Sequence, residues 1–161
     1  MKKFLAFLLL AASISTSCSK KDTTCNYMDS AVVAPESEIT SVHNYLSSNG
    51  INAIQHPSGF FYTVNTSGSG QEVVNLCSNV TVRYKGKLTN GVTFDSTAAG
   101  NTITAQLGQF IIGWQKGIPL VSSGGSITLY IPPSLGYGPT PQGVIPPNSI
   151  LIFNVDLVNV N

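Results

Sequence analysis

Residues 80–96 read VTVRYKGKLTNGVTFDS. Val80, Val82 and Tyr84 alternate with Thr81, Arg83 and Lys85, the period-two pattern of a strand with one buried face. Asn90-Gly91 comes next. It is the strongest short hairpin signal, because a type I′ turn needs positive φ at both central residues. Val92 to Phe94 then starts a returning strand, so the chain is building an antiparallel sheet here.

The same period recurs on both sides. Phe60 to Asn65 is a strand closed by the loop Thr66 to Gly70. Downstream, Ile103, Ala105 and Leu107 alternate, as do Ile127, Leu129 and Ile131, where Pro132-Pro133 stops the strand. Leu151, Phe153, Val155 and Leu157 form the last strand, and apolar Ile150, Ile152 and Val158 on its other side suit a central position. Two segments break the pattern. Ile111 to Leu120 is short, apolar and helical, with Trp114 inside it. Pro35, Glu36 and Glu38 open a second helix with acidic residues at its positive end. Its Ile39, Val42 and Leu46 make one apolar stripe, and Asn49-Gly50 stops it. The expected architecture is α+β: an antiparallel sheet of five or six strands wrapped on a short helix.

Composition narrows the function. The chain has 161 residues, enough for one domain, and hydrophobic residues make up 42%, enough for a core. Charged residues are only 9% with a net charge of +1, so no basic field exists to hold a nucleic-acid backbone. His43 and His56 are isolated and lack metal-ligand spacing. Gly124-Gly125 is a turn rather than a phosphate loop, since no Lys-Ser/Thr follows. Neither a metal nor a cofactor is expected.

The N-terminus reads as a targeting segment. Lys2 and Lys3 precede an apolar run from Phe4 to Ala12, about half the ~20 residues that a membrane-spanning helix needs. Small residues at Ser15 and Ser17 followed directly by Cys18 resemble a bacterial lipoprotein signal, in which the cysteine becomes the lipidated first residue. The resemblance implies a bacterial cell-envelope protein anchored by lipid on Cys18, with Ser19 fitting outer-membrane sorting. The organisation read from the sequence is a signal peptide at 1–17, a tether at 18–34, an N-terminal helix and linker at 35–58 and the main domain at 59–161. With Cys18 lipidated, Cys25 and Cys77 remain as an even pair in an oxidising compartment. A bridge between them and a buried Cys77 beside an idle Cys25 both stay open.

Three blocks carry a family resemblance. The first is Val82-Arg83-Tyr84-Lys85-Gly86-Lys87-Leu88 with Asn90-Gly91 and Thr93-Phe94-Asp95-Ser96. The second is Leu107-Gly108, Ile111-Ile112-Gly113-Trp114 and Lys116-Gly117. The third is Ile131-Pro132-Pro133, Leu135-Gly136-Tyr137-Gly138, Ile145-Pro146-Pro147-Asn148 and Leu151-Ile152-Phe153-Asn154-Val155. In order and spacing they resemble the FKBP-type peptidyl-prolyl cis-trans isomerases over roughly residues 60 to 161. The resemblance implies isomerisation of X-Pro bonds in exported polypeptides, with macrolides as further ligands.

It also implies roles. Trp114 is the pocket floor, and Tyr84, Phe94 and Phe153 are its aromatic walls. Ile111 lines the pocket and offers its backbone N–H to a substrate carbonyl, and the Tyr137 hydroxyl reaches another. Asp95 is the polar wall; read alone, it is a turn or cap aspartate before Ser96. Ile103, Phe110, Val144 and Ile145 complete the substrate-binding rim. Two positions depart from the family pattern: Ile103 is aliphatic where an aromatic is frequent, and Phe110 is larger than the usual small aliphatic residue.

The chemistry asks little of side-chain reactivity. An X-Pro bond rotates over a barrier of ~18–20 kcal/mol because twisting breaks amide resonance. A thousandfold acceleration needs only ~4 kcal/mol of differential stabilisation. A dry aromatic slot with few polar groups serves that purpose. A low-turnover proline-peptide binding module or envelope chaperone is the alternative, and the large Phe110 and the short, Pro-rich rim Pro139 to Gly143 are the features that favour it.

Overall fold

The computed structural model describes residues 25–161; Cys18 and the signal segment lie outside the described residues. Helix α1 (Glu36–Ser48) comes first, followed by strands β1 (Ile54–Gln55), β2 (Phe61–Thr66), β3 (Asn79–Leu88), β4 (Thr93–Ser96) and β5 (Ile103–Gln106). Helix α2 (Ile112–Gly117) precedes β6 (Gly125–Ile131) and β7 (Leu151–Val160), with single turns of 3-10 helix at Leu107–Gln109, Ile118–Leu120 and Pro133–Leu135. The seven strands form one antiparallel sheet in the order β1-β2-β6-β7-β3-β4, with β5 also pairing β3. No helix among the described residues is long and apolar enough to cross a membrane.

Three of the seven strands went beyond the sequence pattern or modified it. β1 has only two residues, too short for any period to register, and it starts the sheet before the boundary expected at Gly59. β4 and β5 act as one interrupted edge strand. β5 pairs with the first half of β3 and β4 with the second half. At the break the Thr97 backbone N–H donates to the Tyr84 carbonyl at 3.1 Å, and the Tyr84 N–H donates to Thr97 Oγ1 at 3.2 Å. Tyr84 is thereby pinned at the middle of β3, beside the break in the edge strand.

The sheet is covered on both faces. α2 lies against β6: a Cβ on Gly113 would come within 2.6 Å of Ile131, and one on Gly117 within 2.6 Å of Leu129. The two glycines, four residues apart, present one bare helix face that lets the helix approach the strand closely. α1 covers the opposite face. Its Ile39, Val42 and Leu46 are buried as the stripe predicts. His43 of α1 packs on Phe61, which stands opposite Tyr130 in the β2–β6 register. This second cover explains why β6 is buried at nearly every residue instead of every other one. The hydroxyl of buried Thr128 is satisfied by the side-chain amides of Asn65 and Asn154, each at 3.0 Å.

Residues 25–34, the latter part of the expected tether, are fastened to the domain at several points. Cys25 is bonded to Cys77 across a separation of 52 residues, with Cα atoms 5.6 Å apart. Lys116 Nζ contacts Asp29 Oδ1 at 3.1 Å. Buried Ala34 donates its N–H to the Ser58 carbonyl at 2.9 Å.

Candidate active site

The sheet curls around α2, and the gap between them opens into a cleft of about 270 Å³. Tyr84, Asp95, Gln109, Phe110, Ile111, Trp114, Tyr137 and Phe153 line it. Four rings interlock at its base. Trp114 is buried and meets Tyr84 edge-on at 5.2 Å and Phe153 edge-on at 5.1 Å. Phe110 lies over Trp114 with centroids 4.9 Å apart and planes tilted by 33°. Edge-to-face contacts suit the ring quadrupoles and fix the orientation of each ring. The Trp114 Nε1–H has no hydrogen-bond partner among the described residues. An unpaired buried donor costs ~1–3 kcal/mol, which the fold carries at the cleft floor.

The polar groups sit at the rim. The Tyr84 hydroxyl donates to Asp95 Oδ2 at 2.5 Å. Burial, then the bond to Asp95 and its charge, hold the Tyr84 phenol far above the ordinary tyrosine range. Burial and the Asp95 charge also raise Tyr137. Both hydroxyls therefore stay protonated at neutral pH and remain donors. Tyr137 follows the Pro133–Leu135 turn on a loop whose ends are tied: Gly138 donates to the Pro133 carbonyl and Asn148 to the Gly138 carbonyl, each at 2.9 Å.

A β-bulge supplies Asp95. Gly86 faces Asp95, but Lys87 faces Thr93, so Phe94 is an extra residue in β4. The bulge re-aims the strand, and two consecutive side chains serve the same side of the sheet. Asp95 reaches the cleft while the Phe94 ring packs edge-on against Phe153 at 5.3 Å. The packing leaves no room beside β3: a Cβ at Gly86 would stand 2.6 Å from Phe94 and 2.8 Å from Phe153.

Seven of the eleven residues expected at the site line this cleft: Tyr84, Asp95, Phe110, Ile111, Trp114, Tyr137 and Phe153. The other four do not. Phe94 stands one layer behind, against Phe153. Ile103 pairs with Val82 in β5 and is more than a third exposed, away from the lining. Val144 is 68% exposed, and Ile145 is buried in a tight turn where Gln142 and Ile145 exchange backbone hydrogen bonds. Neither residue is part of the cleft lining. Gln109 is a lining residue that the sequence reading missed, and no pattern marks it. Among the described residues, no three His, Cys, Asp or Glu side chains gather in a group that could hold a metal.

The cleft is thus a ring-lined slot with two protonated hydroxyls and one carboxylate at its mouth. The model of one protein family, FKBP-type peptidyl-prolyl cis-trans isomerase, matches residues 70–158, more than half the chain. The chain belongs to the FKBP-type peptidyl-prolyl cis-trans isomerase family. Among its relatives, the isomerase FkpA of Buchnera aphidicola subsp. Schizaphis graminum is 44% identical over 64% of this chain and 41% of its own length. A peptidyl-prolyl cis-trans isomerase of Schizosaccharomyces pombe is 42% identical over 60% of this chain and 89% of its own. The crystal structure of FkpA from Escherichia coli superimposes with a TM-score of 0.70 at 32% identity, covering 78% of this chain and 60% of that one. The chain spans about two fifths of the length of the curated FkpA relatives it matches.

Proposed function

We propose that this FKBP-family protein catalyses cis/trans isomerisation of X-Pro bonds in exported polypeptides and assists their folding in the bacterial cell envelope. The observation that carries the reading is the convergence of Tyr84, Phe110, Trp114 and Phe153 with Asp95 and Tyr137 on one cleft. A prolyl ring enters the aromatic slot over Trp114. The Tyr137 hydroxyl and the Ile111 N–H take the substrate carbonyls on either side, which holds the peptide while the bond between them twists. The twisted amide has lost resonance and is less polar than the planar one. A slot that removes water therefore penalises the planar state more than the twisted one. Asp95, fixed by Tyr84, presents negative potential at the rim without reacting.

Two features support the compartment. The Cys25–Cys77 bridge suits an oxidising environment outside the cytosol. The basic, apolar and small-residue series ending in Cys18 suits lipid attachment and export, and several acyl chains anchor stably because each buried CH₂ adds ~0.8 kcal/mol. Mass spectrometry of the mature N-terminus checks this part: a lipid-modified Cys18 supports it and an unmodified one overturns it.

Exchange spectroscopy on a short X-Pro peptide tests the activity. An exchange rate that rises with protein concentration supports catalysis. Peptide binding with an unchanged rate would instead make the protein a low-turnover binding module. Phe110, stacked on the Trp114 indole, is the structural feature that favours that second outcome.

A further inference from the structure

The loop that presents Phe110 and Ile111 to the cleft is supported from behind by the N-terminal strap. The loop begins as the 3-10 turn Leu107–Gln109 between β5 and α2. A single 3-10 turn has poor hydrogen-bond geometry and needs tertiary support. Here the support converges on Gly108. Its N–H donates to the Leu76 carbonyl at 2.7 Å. Its carbonyl accepts from Gln115 Nε2 at 3.2 Å, and the same amide reaches the Phe110 carbonyl at 2.7 Å. The half-buried Tyr27 ring lies directly against Gly108, so closely that any Cβ there would overlap it.

Tyr27 has little freedom to leave. Two residues before it, Cys25 is bonded to Cys77, next to the Leu76 that holds Gly108. Two residues after it, Asp29 is paired at 3.1 Å with Lys116, whose side chain is 14% exposed and adjoins Gln115 on α2. The strap is thus tied at both ends, covalently ahead of β3 and ionically to α2, with the ring held between the ties.

We propose that Tyr27 is a positioning residue of the isomerase. Held by the Cys25–Cys77 bridge and the Asp29–Lys116 pair, it packs on Gly108 and fixes the Gly108–Ile111 loop in its substrate-binding conformation. This rests on the isomerase reading for its catalytic consequence, and on the packing alone for its effect on the loop. The ring acts by its face against Gly108, so phenylalanine should substitute for it.

The experiment compares wild type, Tyr27→Ala, Tyr27→Phe and wild type with the disulfide reduced. Three readouts are used: affinity for an X-Pro peptide, its catalysed exchange rate, and amide hydrogen exchange at Gly108 to Ile111. Displacing a supporting contact by about 1 Å costs up to ~100-fold in rate, so a loss of about tenfold in kcat/KM is expected for Tyr27→Ala. Its loop amides should exchange faster while those of β6 and β7 stay protected. Tyr27→Phe should match wild type. Wild-type affinity, rate and loop protection in a folded Tyr27→Ala would overturn the proposal. Should Tyr27→Ala fail to fold, reduced wild type decides: faster exchange confined to the loop supports the proposal, and unchanged loop protection overturns it. A wild-type protein that accelerates no peptide removes the isomerase reading alone, and the hydrogen-exchange comparison still decides the role of Tyr27.

Discussion

The Tyr84 hydroxyl donates to Asp95 Oδ2 at 2.5 Å across the mouth of the cleft. The bond joins the centre of β3 to the bulge in β4, so the carboxylate is oriented by the sheet rather than by its own rotamer preference. Tyr84→Phe keeps the ring contacts with Trp114 and Phe153 and removes only this bond. Both groups meet solvent, so the loss of stability should be about 1.5 kcal/mol, the low end for a hydrogen bond to a charged partner. The larger effect should be on activity, with a fall in kcat/KM as Asp95 becomes free to turn away. Because the phenol is held above its ordinary value of 10.0, the contribution of its neutral form persists through neutral pH. It is lost only as pH rises beyond that value. Wild-type exchange catalysis should therefore stay flat from about pH 6 to about pH 9, and an alkaline fall inside that range would contradict the assignment.

The Cys25–Cys77 bridge should be a main source of stability. It closes a span of 52 residues, for which the loop-entropy account lies between ~3 and ~4.7 kcal/mol. Domains of this size have ~5–15 kcal/mol in all, so Cys25→Ser with Cys77→Ser should fold yet unfold at much lower denaturant. Urea titration of the pair against wild type measures the difference. A change below ~1 kcal/mol would mean that the unfolded chain is already compact without the bridge.

How far the sequence was legible follows from which physical signals are local. Val80, Val82 and Tyr84 announce β3 because burial on one face imposes period two, and the α1 stripe Ile39, Val42 and Leu46 announces a helix for the matching reason. Full burial of β6 was not legible, because it depends on α1 covering the far face through Phe61 and Tyr130. The cleft residues were found through the spacing of three blocks, which carries topology that no single strand contains. That route stops at the loops. Val144 and Ile145 were assigned to the rim by position, and they sit at the Gln142–Ile145 turn, outside the cleft lining. Ile103 lies on β5, which pairs with the first half of β3, and is likewise outside the lining. The bulge at Phe94, the packing of Tyr27 on Gly108 and the contribution of Gln109 are tertiary facts with no local pattern.

His56 should make stability sensitive to mild acid. Its ring stacks on Phe60 at 4.4 Å, and its Nδ1 accepts the Ser58 N–H at 3.1 Å. Burial, with a smaller contribution from the Lys116 charge, pushes its pKa below the ordinary 6.5. The unfolded chain then binds the proton first, so stability is complete above 6.5 and declines as pH falls below it toward the folded value. Thermal melts from about pH 7 to about pH 5 should show a decline that is smaller in His56→Phe. Equal slopes in the two proteins would assign the decline to carboxylates instead.

Gly86 should be intolerant of any side chain. A methyl group there would lie 2.6 Å from Phe94 and 2.8 Å from Phe153, and both rings are wedged between sheet and cleft. Gly86→Ala forces one of them to shift, and overpacking of this kind costs ~1–3 kcal/mol. Phe153 lines the cleft, so any shift of its ring reshapes the slot. Peptide affinity should therefore fall along with stability, and a variant that lost stability but bound peptide normally would place the strain on Phe94.

Phe110 decides how wide the slot is. Its ring covers part of the Trp114 indole at 4.9 Å, where the proposed binding mode puts the prolyl ring. Phe110→Val uncovers that face at a cost in stability, since the ring is half-buried. Partial burial puts the loss below the ~3–5 kcal/mol of removing a fully buried phenylalanine. If Phe110 is a barrier, the variant should bind X-Pro peptides more tightly and turn them over faster, and it should gain affinity for bulky macrolides. If Phe110 is instead a wall that grips the prolyl ring, both affinity and rate should drop. Isothermal titration with one X-Pro peptide, run beside the exchange assay, separates the two. A gain in affinity without a gain in rate would mean that Phe110 limits entry alone and that the twisting step depends on Asp95 and Tyr137.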